Sequence, residues 1–277
     1  MPTTIPSITS STRPSSPSTG DAFFETDTRN YIIYDGSSFI TYQGSIPNTL
    51  SASLDGTDDH IDCGTNSGLN LSAFTYSCWV KVDDTGYNTV IQRRTAGNGT
   101  QFSINSDGLF YYGGSNITLI SSGVTANTWH HVAMTHTGSK VKGYLNGVPG
   151  DAANNSYTSI ASASFLIGKH ISGNQFSFNG LIDEVGVWNE ALSDNEIIKI
   201  FNDYTPTDLL VNKGSYTSQA NLVGYWRMGD GTGDTDDGAG SPANGDTIGT
   251  VKNLANPGTH DGTGSGGATY SSTTPSI

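Results

Sequence analysis

The sequence predicts an all-β protein whose main domain is a two-sheet antiparallel sandwich of the jelly-roll type. Glycine supplies 35 of the 277 residues and charged side chains only 13%, a composition that favours strands and turns over helices. Short bursts of aromatic and β-branched residues recur, with turn formers between them. The run FTYSCWVKV at 74–82 alternates, with Phe74, Tyr76 and Cys78 on one predicted face and Thr75 on the other. Such short alternating strands are typical of a sandwich with a shared core.

The first 43 residues predict an extended arm followed by a small β-hairpin module. Residues 1–19 are rich in Ser, Thr and Pro and cannot bury enough surface to fold alone. Residues 20–43 hold two short apolar bursts with turn chemistry between them. So small a hairpin is not stable alone in water, so we expect it to attach to copies of itself or to a scaffold. The residues expected to make this attachment are Phe23, Phe24, Ile32, Ile33 and Phe39.

Residues 44–204 contain the predicted jelly roll, which opens with the linker GSIPNTL. After the strand at 74–82, further strand-forming segments follow at 89–94, 101–114, 117–122, 164–171 and 178–192. The segment at 128–150 predicts a strand, a turn at THTGSK and a return strand that ends at Asn146-Gly147. Ser193 is predicted to cap a helix, with Glu196 completing a capping box.

Residues 205–277 form a Gly/Asp-rich extension around a strong strand at 221–228 and a weaker one near 246–254. We expect this extension to add edge strands to the same sandwich, and pairing with a neighbouring subunit is the alternative.

The charge of the chain limits its partners. Asp and Glu number 25 against 12 Lys and Arg, and the net charge is −13. Such a surface repels nucleic acid and anionic membranes, and it suits cations, neutral glycans or a basic protein. No apolar run is long enough to cross a bilayer, and the first 20 residues predict no secretory signal. Cys63 and Cys78 are expected to be buried free thiols, with a disulfide between them as the alternative.

The order and spacing of four segments resemble the laminin-G-like, concanavalin A-like jelly roll of the pentraxin-like branch. These segments are SLDGTDDHIDCG at 53–64, FTYSCWVKV at 74–82, WHHVAMTHTGSKVKGYLNG at 129–147 and FNGLIDEVGVWNEALSDNEI at 178–197. The resemblance implies the fold and leaves the ligand open, because this fold hosts lectins, adhesion modules and glycanases.

The N-terminal module carries a second resemblance. The run GDAFFETDTRNYIIYDGSSF after a Ser/Pro-rich lead is similar to segments near the attachment end of tailed-bacteriophage fibres and spikes. This implies a non-enzymatic virion structural protein of fibre, spike or decoration type, on the particle exterior. It also implies a homotrimer that contacts other virion proteins through its N-terminal region and presents the jelly roll to a host-surface glycan. The alternative is a carbohydrate-binding or adhesion module of a bacterial surface protein, outside the cell.

The jelly-roll resemblance implies a structural calcium ion near one edge of the sandwich. The matching ligands are Asp55, Asp58 or Asp59, and Asp183, since calcium takes six to eight hard oxygen ligands. The alternative is that the first three carboxylates form turns and that Asp183 accepts a backbone hydrogen bond.

Catalysis is not expected from this sequence. Jelly-roll glycanases need two carboxylates on one strand face, across the sugar from each other. Asp183 and Glu184 are adjacent and would point to opposite faces of a regular strand. His130 and His131 are also consecutive, so one is expected to pack inward and the other to face water.

Glycan binding on this scaffold would use loop polar groups and aromatic rings, because sugars offer hydroxyls and apolar C–H faces. Tyr111 and Tyr112 alternate and fall on opposite faces, so at most one of them is free to bind. Ordinary sandwich packing and solvated loops are the competing interpretation. The candidate residues are Tyr87, Arg94, Tyr112, His170, Asn174 and Phe176.

Overall fold

The computed structural model describes residues 6–19, 21–25, 30–34, 36–41, 48–65, 67–84, 86–95, 98–157, 159–171 and 176–275. The chain divides into two compact units, Met1–Ile46 and Pro47–Ile277.

The N-terminal unit is a four-stranded sheet rather than a hairpin alone. Its strands, in both chain and sheet order, are β1 Ser7–Ile8, β2 Ala22–Glu25, β3 Asn30–Tyr34 and β4 Phe39–Thr41. The pair β1–β2 is parallel and the other two pairs are antiparallel. The Ser/Pro-rich arm therefore contributes a short strand, because its Ser7 and Ile8 pair with Phe24 and Glu25.

Aromatic contacts join the strands of this small sheet. The ring centroids of Phe23 and Phe39 lie 6.0 Å apart, and those of Tyr34 and Phe39 lie 5.3 Å apart. Ile32, which pairs with Phe23 in register, is 1% exposed. Only backbone pairing is described for the other two residues of the expected attachment set, Phe24 and Ile33.

The larger unit is an antiparallel two-sheet sandwich, which confirms the predicted fold class. Its strands are β5 Ser51–Asp55, β6 His60–Asp62, β7 Phe74–Val82, β8 Asn88–Arg94, β9 Gly99–Asn105, β10 Gly108–Tyr112, β11 Asn116–Ile120, β12 His130–His136, β13 Lys140–Leu145, β14 Val148–Pro149, β15 Ala153–Asn154, β16 Leu166–Ile167, β17 Asn179–Trp188, β18 Leu222–Trp226, β19 Thr235–Asp236, β20 Ile248–Val251, β21 Gly262–Ser265 and β22 Thr269–Ser271.

Each sheet has nine strands. The first sheet runs in the order β11-β10-β9-β8-β16-β6-β21-β20-β19. The second runs β14-β13-β12-β7-β17-β5-β22, with β15 also paired to β13 and β18 also paired to β17. The extension at 205–277 therefore supplies strands to both sheets, from β18 to β22.

The central strands of the second sheet, β7, β12 and β17, are buried on both faces. Phe74, Tyr76 and Cys78 of β7 belong to the core, as the alternation predicts. The opposite face is also covered, and Trp79 on it is only 2% exposed. A second apolar cluster packs there, which explains why this strand is buried on both sides. That cluster comprises Ala133, Tyr144, Trp188, Leu192, Ile197, Ile200, Leu209, Tyr216, Leu222 and Tyr225.

The predicted helix cap is confirmed. The helix α1 spans Asp194–Phe201, and Ser193 and Glu196 form the reciprocal capping box. The helix ends at Asn202, whose φ of 47° is left-handed. Within the described residues, no helix has the length and apolarity needed to span a bilayer.

Two expectations about buried side chains have different outcomes. Cys63 and Cys78 are both buried and free, as predicted. The expectation that either His130 or His131 faces water is wrong, since their side chains are 8% and 0% exposed. The second apolar cluster covers the outer face of β12, so alternation along this strand does not lead to solvent.

Candidate functional site

The outer face of the first sheet carries a buried strip of polar side chains. Ile91 and Phe102 pair in register and face the core, so the next register pair, Gln92 and Gln101, lies on the opposite face. Both glutamines are nevertheless 2% exposed. Polar groups on an outer face are buried only when other groups cover them. The polar strip consists of Thr89, Gln92, Gln101 and Ser103.

Aromatic rings contact each other beside this strip. The ring of Tyr87 lies 6.2 Å from that of Phe110 and 5.3 Å from that of Phe176. The imidazole of His170 lies 5.2 Å from the Phe176 ring. Phe110 pairs in register with Ser103, so the rings and the polar strip share one face. We call these four residues, Tyr87, Phe110, His170 and Phe176, the ring cluster.

Phe176 presents an aromatic surface to solvent from an unusual backbone conformation. Its side chain is 47% exposed, and its φ of 65° lies in the left-handed region, which is unfavourable for a bulky residue. The carbonyl of Phe176 accepts a 2.9 Å hydrogen bond from the Thr89 amide, which ties this residue to β8. The preceding residues 172–175, including the candidate Asn174, lie outside the described residues.

Arg94 is held at the edge of the same surface by two neighbours. Its guanidinium carbon lies 3.8 Å from the centroid of the Tyr112 ring. Its Nη1 donates a 2.6 Å hydrogen bond to Oε1 of Gln101. The amide nitrogen of Gln101 donates in turn to Oγ of Ser103 at 2.8 Å and to the Tyr87 hydroxyl at 3.3 Å. One network therefore joins the arginine, the polar strip and the ring cluster.

Arg94 is the positively charged side chain of this site at neutral pH. Burial lowers the pKa of Arg94, but an arginine stays protonated at neutral pH. Burial, and then the charge of Arg94, lower the pKa of His170, so the imidazole is neutral at pH 7. The ion pairs found among the described residues do not include Arg94.

Two buried polar atoms of this face have no hydrogen-bond partner in the described part of the chain. They are Oε1 of Gln92 and Nε of Arg94. A buried polar group without a partner costs about 1–3 kcal/mol, so each of these atoms calls for a partner such as an ordered water. They lie where the polar strip meets the arginine.

The structure brings together five of the six candidates from the sequence: Tyr87, Arg94, Tyr112, His170 and Phe176. Tyr111 is 1% exposed and Tyr112 is half-buried, as the alternation predicts. Sequence reasoning missed the polar strip and Phe110. Alternation within β8 and β9 was the available signal, but it identifies an outer face only once the strands are paired.

The predicted metal ligands fall in two separate places. One ligand atom from each of Asp55, Asp58 and Asp59 lies within 4.8 Å of the others. The amide of Asp55 donates to Oδ2 of Asp59 at 3.0 Å, and burial raises the pKa of Asp59. Three clustered carboxylates fit the oxygen preference of calcium.

Asp183 does not join this cluster, which corrects the predicted ligand set. Asp55 pairs with Asn179, and Asp183 lies four positions further along β17, about 13 Å away at the usual rise of a strand. Asp183 is fully buried and accepts a 2.9 Å hydrogen bond from Nδ2 of Asn48.

The adjacent carboxylates of β17 lie at a break in the strand. The register shifts between Asp183 and Gly186, and Glu184 has a φ of 50°, so the regular alternation expected from the sequence does not hold here. Glu184 is 4% exposed and accepts hydrogen bonds from Arg227 Nε at 2.9 Å and from the Tyr225 hydroxyl. These contacts make Glu184 part of a buried ion pair.

A groove of about 760 Å³ lies elsewhere, between the edges of the two sheets beside β11 and β14. Its wall includes Leu145, Val148, Phe201 and Tyr204. Tyr204 is 43% exposed and has a φ of 65°, so it matches Phe176 in exposure and in backbone conformation.

Comparison with known proteins identifies the fold. The family model of the concanavalin A-like lectin/glucanases superfamily matches residues 55–198, just over half of the chain. Among the curated proteins, none matches the sequence.

Solved structures are similar at low sequence identity. A Bacteroides ovatus ATCC 8483 protein, whose name assigns it to carbohydrate binding, is 20% identical with a TM-score of 0.57, covering 92% of this chain and 70% of its own. A heptameric SAP-like pentraxin from Limulus polyphemus is 19% identical with a TM-score of 0.47, covering 56% of this chain and 82% of its own. The sialidase module CBM40 of Ruminococcus gnavus, bound to α2,3-sialyllactose, is 14% identical with a TM-score of 0.45, covering 57% of this chain and 100% of its own.

Proposed function

The chain belongs to the concanavalin A-like lectin/glucanases superfamily, and from this premise we propose that it is a non-catalytic glycan-binding protein. The binding surface is the ring cluster with Arg94, and the buried polar strip supports Arg94 from within through Gln101. The observation that carries the proposal is that exposed aromatic surface and hydrogen-bonding side chains share one face of the first sheet.

This combination suits a sugar on physical grounds. The apolar C–H face of a pyranose stacks on an aromatic ring, and its hydroxyls exchange hydrogen bonds with amides and guanidinium groups. Phe176 supplies a ring that is 47% exposed, and the half-buried Arg94 supplies guanidinium donors beside it. The name of the Bacteroides ovatus protein agrees with this class of ligand.

Binding without catalysis is proposed because the surface is composed of rings, amides and a guanidinium. Glycoside hydrolysis requires a pair of carboxyl groups that flank the glycosidic bond. The adjacent carboxylates of β17 are buried at the strand break, where Glu184 is paired with Arg227.

The test is a glycan array that compares two matched variants. Phe176→Ala should lose about two- to twelvefold in apparent affinity, because an aromatic contact contributes about 0.5–1.5 kcal/mol beyond its buried area. Tyr204→Ala removes an aromatic ring of similar exposure and equal φ at the groove, and this variant should bind like the parent.

Two outcomes would contradict this assignment. If Tyr204→Ala loses binding and Phe176→Ala does not, the glycan site is the groove between β11 and β14. If the parent chain binds no glycan on an array that includes bacterial polysaccharides, the binding function itself is wrong.

We further propose that the N-terminal unit attaches the chain to the exterior of a tailed-phage particle as part of a homotrimeric fibre, spike or decoration. Its small four-stranded sheet is a separate compact unit, as an attachment module would be. A bacterial surface adhesion module is the alternative. Light scattering of the full chain tests the trimer, and a monomer at all concentrations would contradict it. Antibody labelling of phage particles against labelling of bacterial cells separates the two locations.

A further inference from the structure

We infer that the glycan is acidic and that Arg94 binds a carboxylate of the sugar. This inference rests on the proposed glycan-binding function and names its ligand class. It depends on the position of one arginine and not on the overall charge of the chain.

The first argument is that Arg94 is an unbalanced cation in an acidic protein. With 25 acidic against 12 basic side chains, a carboxylate partner within the chain would be easy to provide. Among the described residues, Arg94 nevertheless forms no ion pair, and its ionisable neighbours are the phenols of Tyr112 and Tyr87 rather than carboxylates. By contrast, Arg227 is paired with Glu184.

The second argument is that the guanidinium is held in place before any ligand binds. The Tyr112 ring supports it at 3.8 Å, and Gln101 accepts one of its hydrogen bonds at 2.6 Å. A guanidinium has five N–H donors in one plane, and two parallel ones match the two oxygens of a carboxylate. Because side-chain freedom is already restricted, less entropy is lost when the carboxylate binds.

The third argument concerns the groups around the arginine. A sugar carboxylate at this position would find the neutral imidazole of His170 beside it and, among the described residues, no anion. The ring cluster on the same face offers the rest of the sugar an aromatic surface, since Phe176 is 47% exposed. An acidic sugar provides both groups, a carboxylate for Arg94 and an apolar C–H face for Phe176.

The net charge of −13 sets the form of the experiment. The whole molecule repels an anion at long range, and salt screens that repulsion. Salt also weakens the short-range pair with Arg94, so the two effects oppose each other. A salt titration is therefore a poor test, and the carboxylate itself must be changed.

The experiment uses the full chain and an array of matched pairs. Each acidic oligosaccharide, uronate-containing or sialylated, is printed beside the neutral product of its carboxyl reduction. The acidic member should bind about tenfold or more tightly than its neutral partner, the usual size of a charge-assisted hydrogen bond.

Three variants identify the residue responsible. Arg94→Gln should reduce binding of the acidic member to the level of the neutral one. Arg94→Lys keeps the charge but loses the planar pair of donors, so its binding should fall between the two. Lys140→Gln removes the same charge from an exposed position on β13 and should bind like the parent.

The outcomes separate this inference from the proposed function. If neutral and acidic members bind equally and Phe176→Ala still loses binding, glycan binding stands and the acidic class is wrong. If the acidic member is preferred but Arg94→Gln keeps the preference, Arg94 is not its determinant. If no member of any pair binds, the proposed function fails and the inference fails with it.

Discussion

Breaking the buried ion pair between Arg227 and Glu184 should destabilise the sandwich far more than breaking a surface pair of similar geometry. Nε of Arg227 lies 2.9 Å from Oε1 of Glu184, and the side chains are 11% and 3% exposed. Nζ of Lys142 lies 2.8 Å from Oδ2 of Asp194, with exposures of 23% and 49%. The distances are nearly equal, so the difference in burial decides the energies.

The variant Arg227→Met leaves the carboxylate of Glu184 buried with only the Tyr225 hydroxyl as a partner. Removing one member of a buried pair costs about 3–5 kcal/mol. The matched variant Lys142→Met should lose no more than about 1 kcal/mol, because water already solvates that pair. The double variant Glu184→Gln with Arg227→Met should recover most of the loss, since no unpaired charge remains.

Urea denaturation at pH 7, followed by tryptophan fluorescence, measures these free energies of unfolding. All four tryptophans lie within Pro47–Ile277, so the signal reports on the sandwich alone. The reasoning is refuted if Arg227→Met and Lys142→Met lose equal stability, or if the double variant is no more stable than Arg227→Met.

Three further results are expected. Burial raises the pKa of Asp183 well above its ordinary value of 3.8, so the protonated carboxyl should stabilise the fold below about pH 4, and this stabilisation should decline as the pH rises toward the raised pKa. Unfolding curves from about pH 4 to 8 should show this decline in the parent and not in Asp183→Asn, and the same pH dependence in both proteins would mean that the native carboxyl is already ionised. Calcium should raise the melting temperature relative to excess chelator, and Asp59→Asn should abolish that rise; an equal rise in the variant would place the ion elsewhere. Cys63 and Cys78, whose thiol pKa values are raised by burial, should react with a thiol reagent only after denaturation, and fast reaction of the native chain would contradict their burial.

Several features of this protein follow from local sequence. The capping box of Ser193 and Glu196 lies within one helical turn, so its chemistry is complete in four residues. The core face of β7 follows from strand alternation, because successive side chains point to opposite sides of any strand. The four segments that resemble the laminin-G-like jelly roll also predicted the fold class correctly.

The residues of the candidate site come together only when the strands of the first sheet are paired. Tyr87 and Arg94 lie at the two ends of β8, and the register of β8, β9 and β10 brings Tyr112 to the same face. Phe176 comes from a distant part of the chain and is joined to β8 by the hydrogen bond from the Thr89 amide. The sequence suggested each residue separately, from its type and its place in a turn or strand. Gln101 was not suggested, since its role depends on lying opposite Gln92 in a neighbouring strand.

The buried charges were decided by tertiary structure alone. Alternation predicted that Asp183 and Glu184 point to opposite faces, but the register shift and the φ of 50° at Glu184 break that alternation. Arg227, from the C-terminal extension, then supplies the counter-charge that the buried Glu184 requires. Local sequence therefore determined strands, caps and fold class, which depend on near neighbours. Long-range strand pairing decided which side chains meet and which are buried, because those properties depend on residues distant in the chain.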